Sequence, residues 1–152
     1  MRFGIESDGV EIERLRIEQQ VVVLEGFRQR VALHGIEPEV IDYRTMKVEY
    51  PGYQLRPEIV ESTYYLHHYT HDPKYLAMGQ KLFEDFVKHD RAPHGYAALD
   101  SVVTMKQRDA MESYALAETF KYYFLLFDPK ALDFDAITFN TEAHPLRRTW
   151  QK

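Results

Sequence analysis

Around residues 70–73 the chain leaves almost no room for a connection, and this limits the fold more than any other feature. One helical stretch should start around Pro57 and run to about Tyr69; Asp72-Pro73 then supplies the N-cap and first-turn proline of another. Two helices joined by about three residues must pack as an antiparallel hairpin. The second carries an apolar stripe of Tyr75 or Leu76, Gly79, Leu82 or Phe83, Phe86 and Val87. A further helix is expected over about 108–127, ending before Asp128-Pro129. Its second half, Phe120-Lys121-Tyr122-Tyr123-Phe124-Leu125-Leu126-Phe127, is apolar almost all round and must be buried on several sides. Ile12, Leu15, Val22 or Val23, Phe27 and Val31 lie near helical spacing over 10–33, with His34-Gly35 as a stop.

Between the helices the pattern weakens. Residues 40–50 mix β-branched and polar types and read as irregular or short strand, with Pro51-Gly52 a turn. Gly95-Tyr96 to Val103 could form a β-hairpin arm. Residues 137–146 look like a closing hairpin or extended tail, with Asn140-Thr141 near its tip. Glu61-Ser62-Thr63-Tyr64-Tyr65-Leu66 and Glu112-Ser113-Tyr114-Ala115-Leu116 form a rough echo of the kind stacked helical hairpins carry.

At 152 residues the chain suffices for one core, and its 45% hydrophobic share excludes wholesale disorder. Its 11 tyrosines suit an interior bordering a wet cavity, because the ring packs while the hydroxyl reaches out. A net charge of −5 without a basic stripe argues against nucleic acid. Cysteine is absent, which excludes disulfides and thiolate metal sites. No apolar run reaches about 18 residues, so no membrane span is expected. Met1 to Asp8 has no long apolar core and does not read as a signal peptide.

The chemistry points to two acid-rich segments at the ends of helical stretches. Glu58 and Glu61, three apart, share a helix face in a first turn, beside Arg56. Their simplest role is to complement the helix dipole, with Arg56 in an ion pair. Thr141-Glu142, next to Asn140 (the one asparagine of the chain), offers a hydroxyl, a carbonyl and a carboxylate, the hard oxygens that Ca²⁺ prefers; a plain turn would look the same. Glu118 lies among Ala115, Ala117, Phe120 and Tyr122, where a carboxylate needs a partner. Glu112, six residues earlier, cannot serve one site with it and is expected to cap or salt-bridge the first turn. Tyr114, on the face of Glu118, could be a sugar platform or core. His67, His68 and His71 have no zinc-site spacing behind them. Together the acids suggest a multi-carboxylate pocket for a sugar and a hard cation.

The stretches Gly35-Ile36-Glu37-Pro38-Glu39, Tyr53-Gln54-Leu55-Arg56-Pro57-Glu58 with Glu61-Ser62, Met111-Glu112-Ser113 through Ala117-Glu118-Thr119, and Phe139 to Leu146 stand in an order that resembles the C-terminal part of the class I α-1,2-mannosidases, glycoside hydrolase family forty-seven. That resemblance implies an all-α fold, with helical hairpins forming part of an (α/α)7 barrel and a short C-terminal β-hairpin plugging it. It implies that Thr141 binds Ca²⁺ directly, through carbonyl and hydroxyl, while Glu58, Glu61, Glu118 and Glu142 hold the ion's waters. Arg56 and Tyr114 would contact the terminal mannose, together with Glu118 and Glu142, and Glu58 would be the general base. Inversion needs base and acid far enough apart to admit a water.

By the same resemblance the partner is a high-mannose oligosaccharide or glycoprotein, and the setting is the secretory pathway. Residues 1–152 are expected to be one partial domain, with 1–34 following the pattern weakly. Family catalytic domains are much longer, and their early helices carry the candidate general acids. The chain should therefore be a fragment, inactive alone, with uncovered barrel faces that favour self-association. Lack of the cysteine pair leans toward the degradation-associated branch or a microbial relative. The alternatives are a non-catalytic calcium-dependent mannose-binding module and a helical interaction unit that has lost its pocket.

Overall fold

A computed structural model of the chain describes residues 35–42 and 44–149. The helix expected over 10–33 lies outside the described residues. The chain order is a hairpin of β1 (Val40–Asp42) and β2 (Lys47–Tyr50), helices α1 (Glu58–Thr70) and α2 (Pro73–Asp90), a hairpin of β3 (Arg91–Ala92) and β4 (Gly95–Tyr96), and another of β5 (Leu99–Ser101) and β6 (Lys106–Gln107). A π-helical turn (Ala115–Thr119) then leads into α3 (Phe120–Phe127), and a 3-10 turn (Phe134–Ala136) precedes the hairpin of β7 (Ile137–Phe139) and β8 (Pro145–Arg147). The expected single arm after α2 is thus two hairpins, and 40–50 is a third. All four pairings are antiparallel.

The helical hairpin forms for the reasons its sequence carries. Asp72 caps α2 by accepting from the Lys74 amide at 2.9 Å, with Pro73 at the first helical position. His71 closes α1 in the left-handed region at φ 55. Gly79 then lets α3 approach. A Cβ there would lie 2.0 Å from a methyl of Leu126, itself 1% exposed, and 3.5 Å from Thr63 of α1. All three helices meet at that glycine. The core around it contains Leu55, Leu66, Phe86, Leu99, Val102, Tyr122 and Leu126, all nearly inaccessible to solvent.

The helix expected over 108–127 is shorter than its charges suggested. Arg108 donates its amide to the Ala98 carbonyl, and Ala98 donates to Ala110, so this stretch extends the β5–β6 hairpin instead of coiling. Helical structure begins at Ser113, and Phe120 donates to the Ala115 carbonyl five residues back. Of the Phe120–Phe127 run, Tyr122, Tyr123, Leu125 and Leu126 are buried, whereas Phe124 and Phe127 are exposed. The run is thus buried over part of its circumference, and the side of Phe124 and Phe127 is uncovered. Among the described residues no helix is long and apolar enough to cross a membrane.

Candidate active site

The loop before α1 is built to hold one shape. Leu55 has φ 61, a conformation costly for a branched residue, and its side chain is wholly buried. Its carbonyl accepts from Thr119 Oγ1 at 2.6 Å and the Gln54 carbonyl accepts from Tyr114 Oη at 2.8 Å, both donors lying on the turn before α3. The Gln54 amide donates to Glu39 Oε1 at 3.0 Å. Arg56-Pro57-Glu58 is therefore fixed from two sides.

Arg56 does not take its sequence neighbour as main partner. Its Nε donates to Glu39 Oε2 at 2.6 Å, whereas Glu58 stands 4.0 Å from the guanidinium. The Glu39 bond holds the guanidinium still more firmly protonated than usual. Arg56 also lies 5.8 Å from the Tyr114 ring centroid, a cation–π arrangement that occupies the ring expected to meet sugar. Glu37, Pro38, Glu39, Tyr53, Arg56, Glu58 and Ile59 line an open cleft of about 300 Å³. Glu58 reaches it with a side chain 62% exposed.

Glu118, on the π turn, is 9% exposed. Burial pushes its carboxyl above the usual range, and Glu142, Glu61 and Glu58 push it further, in that order, while Lys121 acts against them. Glutamates of the hairpin loop and of the start of α1 thus both act on Glu118. Glu61 accepts from Tyr122 Oη at 3.0 Å. Thr141 and Glu142 sit exposed in the loop of the β7–β8 hairpin, where Asn140 Oδ1 accepts from the amides of Glu142 (3.1 Å) and His144 (2.8 Å). The 300 Å³ cleft takes in Arg56 and Glu58 but not Glu61, Tyr114, Glu118, Thr141 or Glu142.

Among the described residues no three His, Asp or Glu side chains stand close enough to ligate one ion together. The carboxylates of these glutamates and the hydroxyl and carbonyl of Thr141 are hard oxygens, the donor chemistry that suits a hard cation. Sequence reasoning missed Glu39 as the partner of Arg56. The residues are 17 apart, so no helical or strand periodicity links them. It also missed Glu37 and Tyr53 as cleft walls, for which spacing carried no signal. The Glu112 carbonyl accepts from the Ala115 amide at 3.0 Å, a backbone bond that leaves the expected cap or ion pair of its side chain unshown.

The profile of Glycosyl hydrolase family 47 matches residues 11–148. The chain belongs to this family. The family 47 match reaches back into 11–34, the part that follows the pattern weakly. The mouse endoplasmic reticulum mannosyl-oligosaccharide 1,2-alpha-mannosidase is 45% identical over 160 aligned positions, covering 96% of this chain and 24% of the relative. The human ER degradation-enhancing alpha-mannosidase-like protein 3 is 38% identical over 143 positions, covering 91% of this chain and 15% of the relative. Among solved structures, the alpha-1,2-mannosidase from Trichoderma reesei superposes with a TM-score of 0.60 at 33% identity, over 66% of this chain and 22% of that one. The chain therefore spans about a quarter or less of each of these family 47 relatives.

Proposed function

We propose that this chain carries the general base and the ion site of a calcium-dependent, inverting exo-α-1,2-mannosidase that removes terminal mannose from high-mannose N-glycans in the secretory pathway. What supports this reading is that Glu142, Glu61 and Glu58, from the hairpin loop and the start of α1, all add to the upward push on the Glu118 carboxyl, and that Arg56 and Glu58 line one open cleft. Family membership supplies the substrate class, and the names of the mouse and human relatives support the setting.

In this reading bound Ca²⁺ would supply a fixed positive charge that polarises and orients oxygen groups. Thr141 would hold it directly through its carbonyl and hydroxyl, and Glu58, Glu61, Glu118 and Glu142 would hold it through water. Glu58 Oε removes a proton from the water that attacks the anomeric carbon, while the glycosidic bond breaks on the opposite face. Arg56, oriented by Glu39, donates hydrogen bonds to the terminal sugar, and Tyr114 walls the arginine. The departing oxygen needs a proton from an acid on the other side of the ring. The 152-residue polypeptide by itself is expected to bind mannose in the presence of Ca²⁺ without cleaving it. In the family barrel the β7–β8 hairpin would plug one end.

The test is calorimetry of the chain with Ca²⁺, then with α-1,2-mannobiose, followed by exchange of this chain for the matching part of the mouse relative. Calcium-dependent sugar binding and a chimera that cleaves mannobiose, with Glu58→Gln lowering kcat at least about 100-fold, are the expected results. Binding with an inert chimera would favour the non-catalytic module instead. Turnover by the chain alone would defeat the missing-acid argument, and no calcium response would defeat the ion site.

A further inference from the structure

Lys121 lies on α3 one turn after Glu118, half-buried, and its ammonium makes no salt bridge among the described residues. It donates to the Ala143 carbonyl at 2.6 Å, in the loop that joins β7 to β8, and stands 5.8 Å from the Phe139 ring centroid at the end of β7. The next residue, Tyr122, meets the same ring edge-on at 5.8 Å. Ala143 is itself constrained: φ 53, 1% exposed, its amide on the Asn140 carbonyl at 3.0 Å. Asn140 closes the loop from within, because its amide donates to the His144 carbonyl while its side chain takes the amides of Glu142 and His144. The loop thus has its own shape, and Lys121 supplies the charged hydrogen bond between that shape and the helix.

We propose that Lys121 is a positioning residue, a latch that seats the β7–β8 loop on the helix carrying Glu118 and so sets where Thr141 and Glu142 stand relative to Glu118. A hydrogen bond from an ammonium to a half-buried carbonyl is stronger than a neutral one, and its loss leaves that carbonyl unsatisfied. The Phe139 ring, 5.8 Å from the ammonium, favours a cation at this place. The latch stands on these contacts alone; only its effect on an ion rests on the proposed function.

The experiment is metal-free amide hydrogen exchange on the 152-residue chain, comparing wild type with Lys121→Met and Lys121→Arg. Lys121→Met should raise exchange at residues 141–144 about tenfold or more, with little change in the amides of α1 and α2, and Lys121→Arg should restore most of the protection. Unchanged exchange at 141–144, or a uniform rise over the whole chain, overturns the latch. If Lys121→Met does not fold, ¹⁵N spectra of the wild-type ammonium groups decide. Lys121 should exchange its protons more slowly than the exposed Lys88, and equal rates overturn the proposal. A Ca²⁺ titration of the same variants should show affinity about tenfold lower in Lys121→Met. If wild type binds no Ca²⁺ while Lys121→Met still loosens the loop, the ion reading fails and the latch survives.

Discussion

Glu118 and Asp90 are both buried acids, and they are buried for different ends. Asp90 closes α2 with no exposed surface, and neither of its carboxyl oxygens has a hydrogen-bond partner among the described residues. Burial pushes its carboxyl up to about 8, with Glu37 adding to the push, so near neutral pH it is mostly an uncharged acid. Glu118 sits on the rim of the loop region with three other glutamates acting on it and one lysine opposing them. Burial alone therefore marks no site here. Burial acts on both carboxyls, but one neighbouring acid, Glu37, adds to it at Asp90, whereas three glutamates add to it at Glu118.

The largest effect expected from this contrast is at Asp90. Its folded pKa lies above the usual 3.8, so the unfolded chain loses the proton first as pH rises, and stability falls between about pH 4 and about 8. Asp90→Asn removes that loss and should stabilise the chain by on the order of 5 kcal/mol at pH 8 and by little at pH 4, read from urea midpoints. Equal pH slopes in the two proteins would break the comparison. Next comes Thr141→Ala. Wild type at 100-fold excess of Ca²⁺ over Kd should gain about 2.7 kcal/mol, lost on adding chelator; Thr141→Ala should lose the gain and Asp90→Asn should keep it.

Thr119→Val removes the bond that ties the turn of Glu118 to the Leu55 carbonyl, at a cost of about 1–2 kcal/mol, and should weaken Ca²⁺ binding as well. A stability loss without a change in binding would show that the turn and the ion site are independent. The smallest effect is expected at the uncovered face. Phe124→Ser should move the urea midpoint by within about 0.5 kcal/mol while reducing self-association in sedimentation.

How much of this was legible depended on distance along the chain. The α1–α2 hairpin was readable because its signals are local: Asp72, Pro73 and an apolar stripe of helical period. The closing hairpin was readable for the same reason. Residues 108–112 were not, because the pairing of Arg108 and Ala110 with Ala98 overrides their helical look. The π turn was invisible, since no residue type announces a bond five residues back. At the site, the need of Glu118 for company was evident from its apolar neighbours, but which acids keep it company rested on family resemblance alone. The claim of Glu39 on Arg56 could not be read, because a contact made between loops leaves no period.

Leu55 carries one more consequence. Its left-handed backbone would suit glycine, but glycine would leave a hole where a fully buried side chain now sits. Shape and filling are bound together at that residue, and the two carbonyls around it need donors from another helix. The tripeptide that follows is consequently not portable. Grafted onto the start of a different helix, Arg-Pro-Glu would relax to ordinary extended entry and swing its guanidinium away.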